Sequence, residues 1–144
     1  MMLSWNSSCV IDNGIIDADH RAIIESINCI HKLLNVDGEI VSLRSAVDEL
    51  RALAVAHFGR EEHLHELLSL PNRLPHHAEH RELIREVDNV IAELASPSVV
   101  LTSPSCFRLR GFFHRWILGH ILTSDLEMQR YFPGASCPTM ECGS

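Results

Sequence analysis

The sequence lacks a long apolar run, is poor in aromatic residues and has too few basic residues to balance its acidic ones. No apolar segment approaches the roughly 18–20 residues that a membrane-spanning helix needs, so we expect no membrane partner. Lys and Arg number 12 against 19 Asp and Glu, which gives a formal net charge of −7. Because nucleic acids and anionic membranes bind basic surfaces, this charge argues against both as partners.

Signals for export and for disulfide formation are also missing. Residues 1–8 contain neither the basic stretch nor the apolar stretch that begins a secretory signal. The five cysteines, at positions 9, 29, 106, 137 and 142, are odd in number and form no C-x-x-C motif. We therefore expect a cytoplasmic protein with reduced thiols. We interpret Cys137 and Cys142 as thiols of an unstructured tail rather than as a redox pair.

Glycine and proline divide the chain into four helical segments without strand-type alternation. A length of 144 residues suits a single domain over 1–144. We predict an irregular N-terminal arm over 1–16, a helical bundle over 17–131 and a loose C-terminal tail over 132–144. The predicted helices run from about Asp17, as N-cap, to Asn35, from Glu39 to Ser69, from Pro75 to Ala95 and from Cys106 to Tyr131, with a loop over 96–105.

Each predicted helix carries a stripe of residues at alternating spacings of three and four, which is typical of the inward side of a bundle helix. The connections between the helices are short, so we predict an all-α, up-down four-helix bundle. Polar residues occur on every stripe. The stripes are Ile16, His20, Ile23, Ile27, Ile30 and Leu34; Leu43, Val47, Leu50, Ala54, His57, Glu61, Leu64 and Leu68; His76, His80, Leu83, Val87, Val90 and Leu94; and Leu109, Phe113, Trp116 and His120.

The polar residues on these stripes indicate a metal site. The chain has 10 histidines, and imidazole is the commonest metal ligand among side chains. A histidine or carboxylate in an apolar core must be hydrogen-bonded, paired or metal-bound, because isolated burial costs several kcal/mol. Residues four apart on a helix face the same direction. The predicted ligands are two such pairs, His57 with Glu61 and His76 with His80, and single histidines from the first and fourth helices, His20 and His120.

Spacing leaves Asp125 open as a ligand. It lies five residues after His120, which is about 140° around an ideal helix. Both side chains would reach a wide core, and a local π-bulge, which is common at functional sites, would align them better.

Several motifs together resemble the hemerythrin family, and more specifically its bacterial members. They occur in the family's order and with its gaps over nearly the whole chain. They are a leading Trp5, G-x-x-D-x-x-H over 14–20, H-F-x-x-E-E over 57–62, P-x-x-x-x-H-x-x-x-H over 71–80 and W-x-x-x-H-I-x-x-x-D over 116–125.

This resemblance implies a non-haem di-iron centre with a bridging oxo or hydroxo group. By position, one iron would take three histidines, the other iron two, and two carboxylates would bridge them. The implied ligands are His76, His80 and His120 for the first iron, His20 and His57 for the second, and Glu61 and Asp125 as bridges. An O2 pocket lined by Ile117, with Trp116 and Ile24, is also expected from the resemblance.

Coordination numbers leave room for the O2 that the resemblance implies as the ligand. Two octahedral irons offer about twelve positions, and the implied ligands leave one of them open, on the iron with two histidines. We therefore expect reversible O2 binding without enzymatic turnover, for storage, delivery or sensing through a fused or partner signalling domain. The alternatives are a di-iron enzyme or redox sensor that reduces peroxide or nitric oxide, and an iron store or zinc-loaded structural bundle.

Some positions depart from the family's pattern. His65 stands where Met is usual, and it would either hydrogen-bond Glu61, add a ligand, or simply lie at the bundle edge. Asp17 is a further candidate to support a ligand by hydrogen bonding. Asp19 replaces the usual Gln, and we expect Glu62 to be a surface or supporting group rather than a third bridge. Partners of this kind tune ligand basicity and redox behaviour.

Overall fold

The computed structural model describes residues 11–12, 14–120 and 125–131, and these contain helices and no strand. The α-helices are α1 (Ile15–Leu33), α2 (Ile40–Leu68), α3 (Arg73–Leu94) and α4 (Ser103–Gly119), and a 3₁₀ helix spans Leu126–Tyr131. Helix α1 packs against α2 and α4, and α2 packs against α3. The predicted all-α, up-down four-helix bundle is confirmed. Residues 1–10 of the predicted arm over 1–16, the predicted tail over 132–144 and the cysteines at positions 9, 137 and 142 lie outside the described residues.

Helix α1 begins earlier than predicted, because the residue at its N-cap position is Gly14 rather than Asp17, and Asp12 binds the first turn from outside the helix. The Asp12 carboxylate accepts hydrogen bonds from the backbone N–H groups of Gly14 (2.9 Å), Ile16 (3.1 Å) and Asp17 (3.2 Å). These N–H groups have no partner within the helix, so the carboxylate satisfies them. The last two residues of the predicted arm are therefore helical.

Helix α4 also begins earlier, inside the segment that we predicted as a loop. The Ser105 N–H donates to Thr102 Oγ1 (3.1 Å), and the Thr102 N–H donates to Ser105 Oγ (2.8 Å). This reciprocal pair has the pattern of a capping box and starts the helix at Ser103.

The end of the fourth helical segment is not the continuous α-helix that we predicted. Helix α4 ends at Gly119, the backbone at His120 and at Asp125 is π-helical, and residues 126–131 form the 3₁₀ helix. The side chains of these two residues nevertheless meet, with His120 Nε2 2.7 Å from Asp125 Oδ1.

The predicted stripes of α1, α3 and α4 are buried along their whole length. On α2 the last part of the stripe is wrong, since Leu64 is only partly buried, Leu68 is 43% exposed and His65 is fully buried. At this end of the bundle α2 packs against the start of α3 and the 3₁₀ helix, where His77 and Met128 contact His65. No helix among the described residues is long and apolar enough to span a bilayer.

Candidate metal centre

The polar positions of all four helices meet at one end of the bundle. In an up-down bundle, the first turns of α1 and α3 lie beside the last turns of α2 and α4, which is where these residues are. An apolar core fills the rest of the interior. The structure brings together all seven predicted ligands, each of them buried: His20, His57, Glu61, His76, His80, His120 and Asp125.

Three histidines form one donor group with their Nε2 atoms facing inward. His120 Nε2 lies 3.3 Å from His76 Nε2 and 3.2 Å from His80 Nε2. Asp125 Oδ1 lies 2.8 Å from His76 Nε2, and Glu61 Oε1 lies 2.9 Å from His80 Nε2. One donor atom from each of these five residues lies within 4.8 Å of all the others.

Two histidines form a second donor group beside the first. His20 Nε2 lies 3.1 Å from His57 Nε2 and 2.9 Å from Asp125 Oδ2. Glu61 Oε2 lies 3.6 Å from His57 Nε2. These donor atoms also fall within 4.8 Å of one another.

Each carboxylate divides its two oxygens between the two groups. Asp125 faces the three-histidine group with Oδ1 and the two-histidine group with Oδ2, and Glu61 does the same with Oε1 and Oε2. Glu61 Oε2 is buried and has no hydrogen-bond partner among the described residues. A cation would satisfy it, and imidazole with carboxylate suits iron or zinc. The residues present therefore fit a pair of metal ions.

In the absence of a metal, the carboxylates keep several of these histidines protonated. Burial alone would lower the pKa of His57, but the carboxylates of Asp125 and Asp19 outweigh it and raise the pKa to about 9. Against the same effect of burial, Asp125 and Glu61 raise the pKa of His76 to about 9 and that of His120 to about 10. Metal ligands must be neutral imidazoles, so metal binding would release these protons.

The two buried carboxylates shift in the opposite direction. Burial raises the pKa of Asp125, but His120 and the other histidines around it outweigh burial and hold the pKa well below its usual range. Burial and the charge of Asp125 raise the pKa of Glu61, yet hydrogen bonds from His120, His76 and His80 hold it below its usual range. Both carboxylates are thus ionised and available as anionic ligands at neutral pH.

Three of the histidines have a second carboxylate on their outer nitrogen. His57 Nδ1 lies 3.1 Å from Asp19 Oδ2, His80 Nδ1 lies 2.8 Å from Glu62 Oε2, and His120 Nδ1 lies 2.9 Å from Glu79 Oε1. Such a partner takes the Nδ1–H of the imidazole, so that Nε2 is left for a metal. Glu62 and Asp19 thus have the supporting positions that we expected, whereas Glu79 was not predicted in this role.

Glu79 and the aromatic side chain of Phe58 were missed for different reasons. Glu79 directly precedes the predicted ligand His80 in sequence, and this position was a usable signal. Its carboxylate contacts His120, however, which follows α4, and this pairing is visible only in the fold. Phe58 lies flat on His80 with ring centroids 4.0 Å apart, and its ring is 5.6 Å from those of His57 and His120. Its place directly after His57 was the only sequence signal for this contact.

His65 is fully buried, and both of its ring nitrogens contact residues outside the two donor groups. Its Nδ1 lies 3.0 Å from His77 Nε2, and its Nε2 lies 3.4 Å from Met128 Sδ. Burial, together with the charge of His76, lowers the pKa of His65 to about 4, so the ring is neutral at pH 7. The predictions of a hydrogen bond to Glu61 and of a position at the bundle edge were therefore wrong.

The remaining predicted residues have separate positions. Ile24 and Trp116 are buried in the apolar core, and Trp116 Nε1 donates to the Leu83 carbonyl at 2.9 Å. The side chain of Ile117 lies outside the described residues. The lining of an O2 pocket by these three stays a prediction. Asp17 accepts a hydrogen bond from the Ile11 backbone N–H at 2.8 Å, which ties the N-terminal segment to α1.

Comparison with known proteins gives consistent results. The family model of the hemerythrin HHE cation binding domain matches residues 12–132. Bacteriohemerythrins of Stenotrophomonas maltophilia (strain R551-3) and Pseudomonas paraeruginosa (strain DSM 24068 / PA7) are each 26% identical to the chain. These matches cover 86% and 85% of the chain, and 77% and 76% of the relatives. A crystal structure of wild-type hemerythrin shares the fold, with a TM-score of 0.74 at 21% identity over 95% of this chain and 100% of that one.

Proposed function

Because the chain belongs to the hemerythrin family, we propose that it binds O2 reversibly at a non-haem di-iron centre, in storage, delivery or sensing and without enzymatic turnover. The observation that carries this proposal is the division of the Asp125 and Glu61 oxygens between two histidine groups. A single metal ion would not need two carboxylates arranged in this way.

The proposed ligand assignment follows from the two donor groups. His76, His80 and His120 would hold one iron, His20 and His57 would hold the other, and Asp125 and Glu61, which belong to both donor groups, would be shared. When bound, the iron pair would supply the redox chemistry that reversible O2 binding needs. The two-histidine group offers fewer protein ligands and would leave room for O2 there.

The chain's own residues support binding rather than oxidation of a substrate. Five neutral imidazoles and only two anionic side chains hold the pair, so high-valent iron is stabilised less than in carboxylate-rich di-iron proteins. Phe58 and the apolar core keep water away from one side of the centre. Exclusion of water would slow autoxidation, which leaves the iron oxidised and unable to bind O2.

Metal analysis combined with an optical redox cycle tests the proposal. We expect two irons per chain, loss of colour on reduction and its return with O2. Reduced iron that oxidises at once without an intermediate absorption band would favour a redox enzyme or sensor. Zinc in the purified protein, or a folded protein that takes up no iron, would contradict the proposed function.

A second candidate function is reduction of peroxide or nitric oxide at the same centre. A pocket of about 60 Å³ between the α2–α3 turn and the 3₁₀ helix favours it, because the lining includes His76 together with His65 and Arg73. A small molecule in this pocket would lie beside a proposed ligand. Continuous consumption of peroxide or nitric oxide by the reduced protein, in the presence of an electron donor, would distinguish this candidate from O2 binding.

A further inference from the structure

We propose that Asp19, held by Arg60, is a positioning residue that fixes the His57 ring and strengthens His57 as a metal ligand. The proposal rests on the proposed function, since it concerns the iron that is assigned to His20 and His57. It adds a residue that sets the redox behaviour of one iron in the pair.

The geometry around Asp19 is that of a clamped carboxylate. Arg60 donates from Nε to Asp19 Oδ2 at 2.8 Å and from Nη2 to Asp19 Oδ1 at 2.6 Å. A two-point pair of this kind fixes the orientation of a carboxylate as well as adding energy. Asp19 Oδ2 also lies 3.1 Å from His57 Nδ1. The His57 ring is thus oriented from outside the centre, with Nδ1–H donating to Asp19 and Nε2 left for the metal.

The corresponding carboxylates on the three-histidine side are not clamped. The side chains of Glu62 and Glu79 are 36% and 40% exposed, and within the described part of the chain neither is paired with an arginine. The Asp19 side chain is only 11% exposed. Solvent weakens exposed ionic contacts, so Asp19 should act on its histidine more strongly than the other two act on theirs.

A fixed negative charge behind His57 changes both the metal affinity of the site and the reduction potential of the bound metal. An imidazole that donates to a carboxylate is a more basic ligand, and a more basic ligand favours the oxidised metal over the reduced one. Asp19 should therefore raise the metal affinity of the two-histidine site and lower the reduction potential of its iron. The three-histidine site should respond much less, because His57 faces the other group.

Replacement of Asp19 by Asn isolates the charge. Asp19→Asn keeps an oxygen that accepts from His57 Nδ1 but removes the charge and the ion pair with Arg60. Asp88→Asn is the matched control, because Asp88 makes the same kind of two-point ion pair with Arg51, between α2 and α3. Within the described part of the chain, no contact of Asp88 involves a histidine, so this variant reports the cost of losing a surface ion pair alone.

The first measurement is anaerobic titration of the metal-free variants with Co²⁺, followed by its visible absorption. We expect Asp19→Asn to weaken one of the two sites by about 10–100-fold, the range typical of losing an outer partner of a ligand. The other site, and both sites of Asp88→Asn, should bind as in the wild type. Equal weakening of both sites, or no difference between Asp19→Asn and Asp88→Asn, would overturn the proposal.

The second measurement is the reduction potential of the iron-loaded protein. Each tenfold loss of preference for oxidised over reduced iron raises a one-electron potential by about 59 mV. We expect a rise in Asp19→Asn and none in Asp88→Asn, and an unchanged potential in both would overturn the proposal. A wild-type protein that binds no metal would instead refute the proposed function, so the two failures are distinguishable.

Glu79→Gln tests the importance of the clamp. It removes the exposed, unclamped carboxylate behind His120, and we expect an affinity loss of less than about threefold at the three-histidine site. A loss as large as that of Asp19→Asn would show that anchoring by Arg60 has no special role.

Discussion

Raising the pH should destabilise the metal-free protein, because three buried histidines hold extra protons in the folded state. The pKa values of His57, His76 and His120 are raised from 6.5 to about 9, 9 and 10. Above pH 6.5 the unfolded chain loses its histidine protons while the folded protein keeps them. The stabilisation is therefore complete below about pH 6.5 and is lost as the pH rises through the folded-state pKa values.

The magnitude follows from the number of protons involved. Each proton that only the folded state holds contributes a slope of about −1.4 kcal/mol per pH unit to the free energy of unfolding. Three such histidines give a limit of about −4 kcal/mol per pH unit near pH 8, which is large beside the 5–15 kcal/mol typical of a domain. His120→Gln should remove about a third of this slope. His63→Gln, at an exposed position, should leave it unchanged.

The slope of the free energy of unfolding against pH is measured by urea unfolding of chelator-treated protein. Unfolding is followed by circular dichroism at several pH values between 6.5 and 9. Loading with iron or Zn²⁺ should reverse the trend, since ligands bind metal more tightly once their protons have left. A free energy of unfolding that is flat or rises with pH in the metal-free protein would refute the reasoning. An equal loss of slope in His63→Gln and His120→Gln would refute it as well.

Further substitutions test the separate roles of the residues. Asp125→Ala removes a carboxylate shared by both donor groups, so bound metal should fall from two ions per chain to one or none by elemental analysis; retention of both would contradict the bridge. His65→Met should keep both metals, because His65 faces His77 and Met128, and loss of a metal would reveal a ligand. Phe58→Ala should cost about 3–5 kcal/mol in urea unfolding, as for other buried aromatics, and a cost below 1 kcal/mol would contradict its packing role.

Helix periodicity was enough to predict the fold and most of the polar core positions that form the candidate site. On α1 and α3 every predicted inward position is buried, because a regular helix keeps residues at spacings of three and four on one side. Periodicity failed where the helix is not regular. The backbone is π-helical at His120 and at Asp125, whose side chains meet, and only the resemblance to a family assigned Asp125 as a ligand.

Contacts between side chains of different helices could not be predicted from the sequence. Asp19 supports a histidine of α2 and Glu79 supports the histidine that follows α4, and neither pairing has a fixed spacing along the chain. The burial of His65 likewise depends on Met128, 63 residues later in the chain. Local capping was missed at Asp12 because one carboxylate serves three N–H groups, a pattern that a search for a single N-cap residue does not find.

The most direct test of the proposed function is the stoichiometry and reversibility of O2 uptake. Fully reduced, iron-loaded protein is titrated with O2 in a closed oxygen-electrode cell and then flushed with argon. Uptake of one O2 per two irons, with recovery of the same O2 under argon and return of the reduced spectrum, is the predicted result. Uptake without recovery, or no uptake by protein that contains two irons per chain, would contradict reversible O2 binding at this centre.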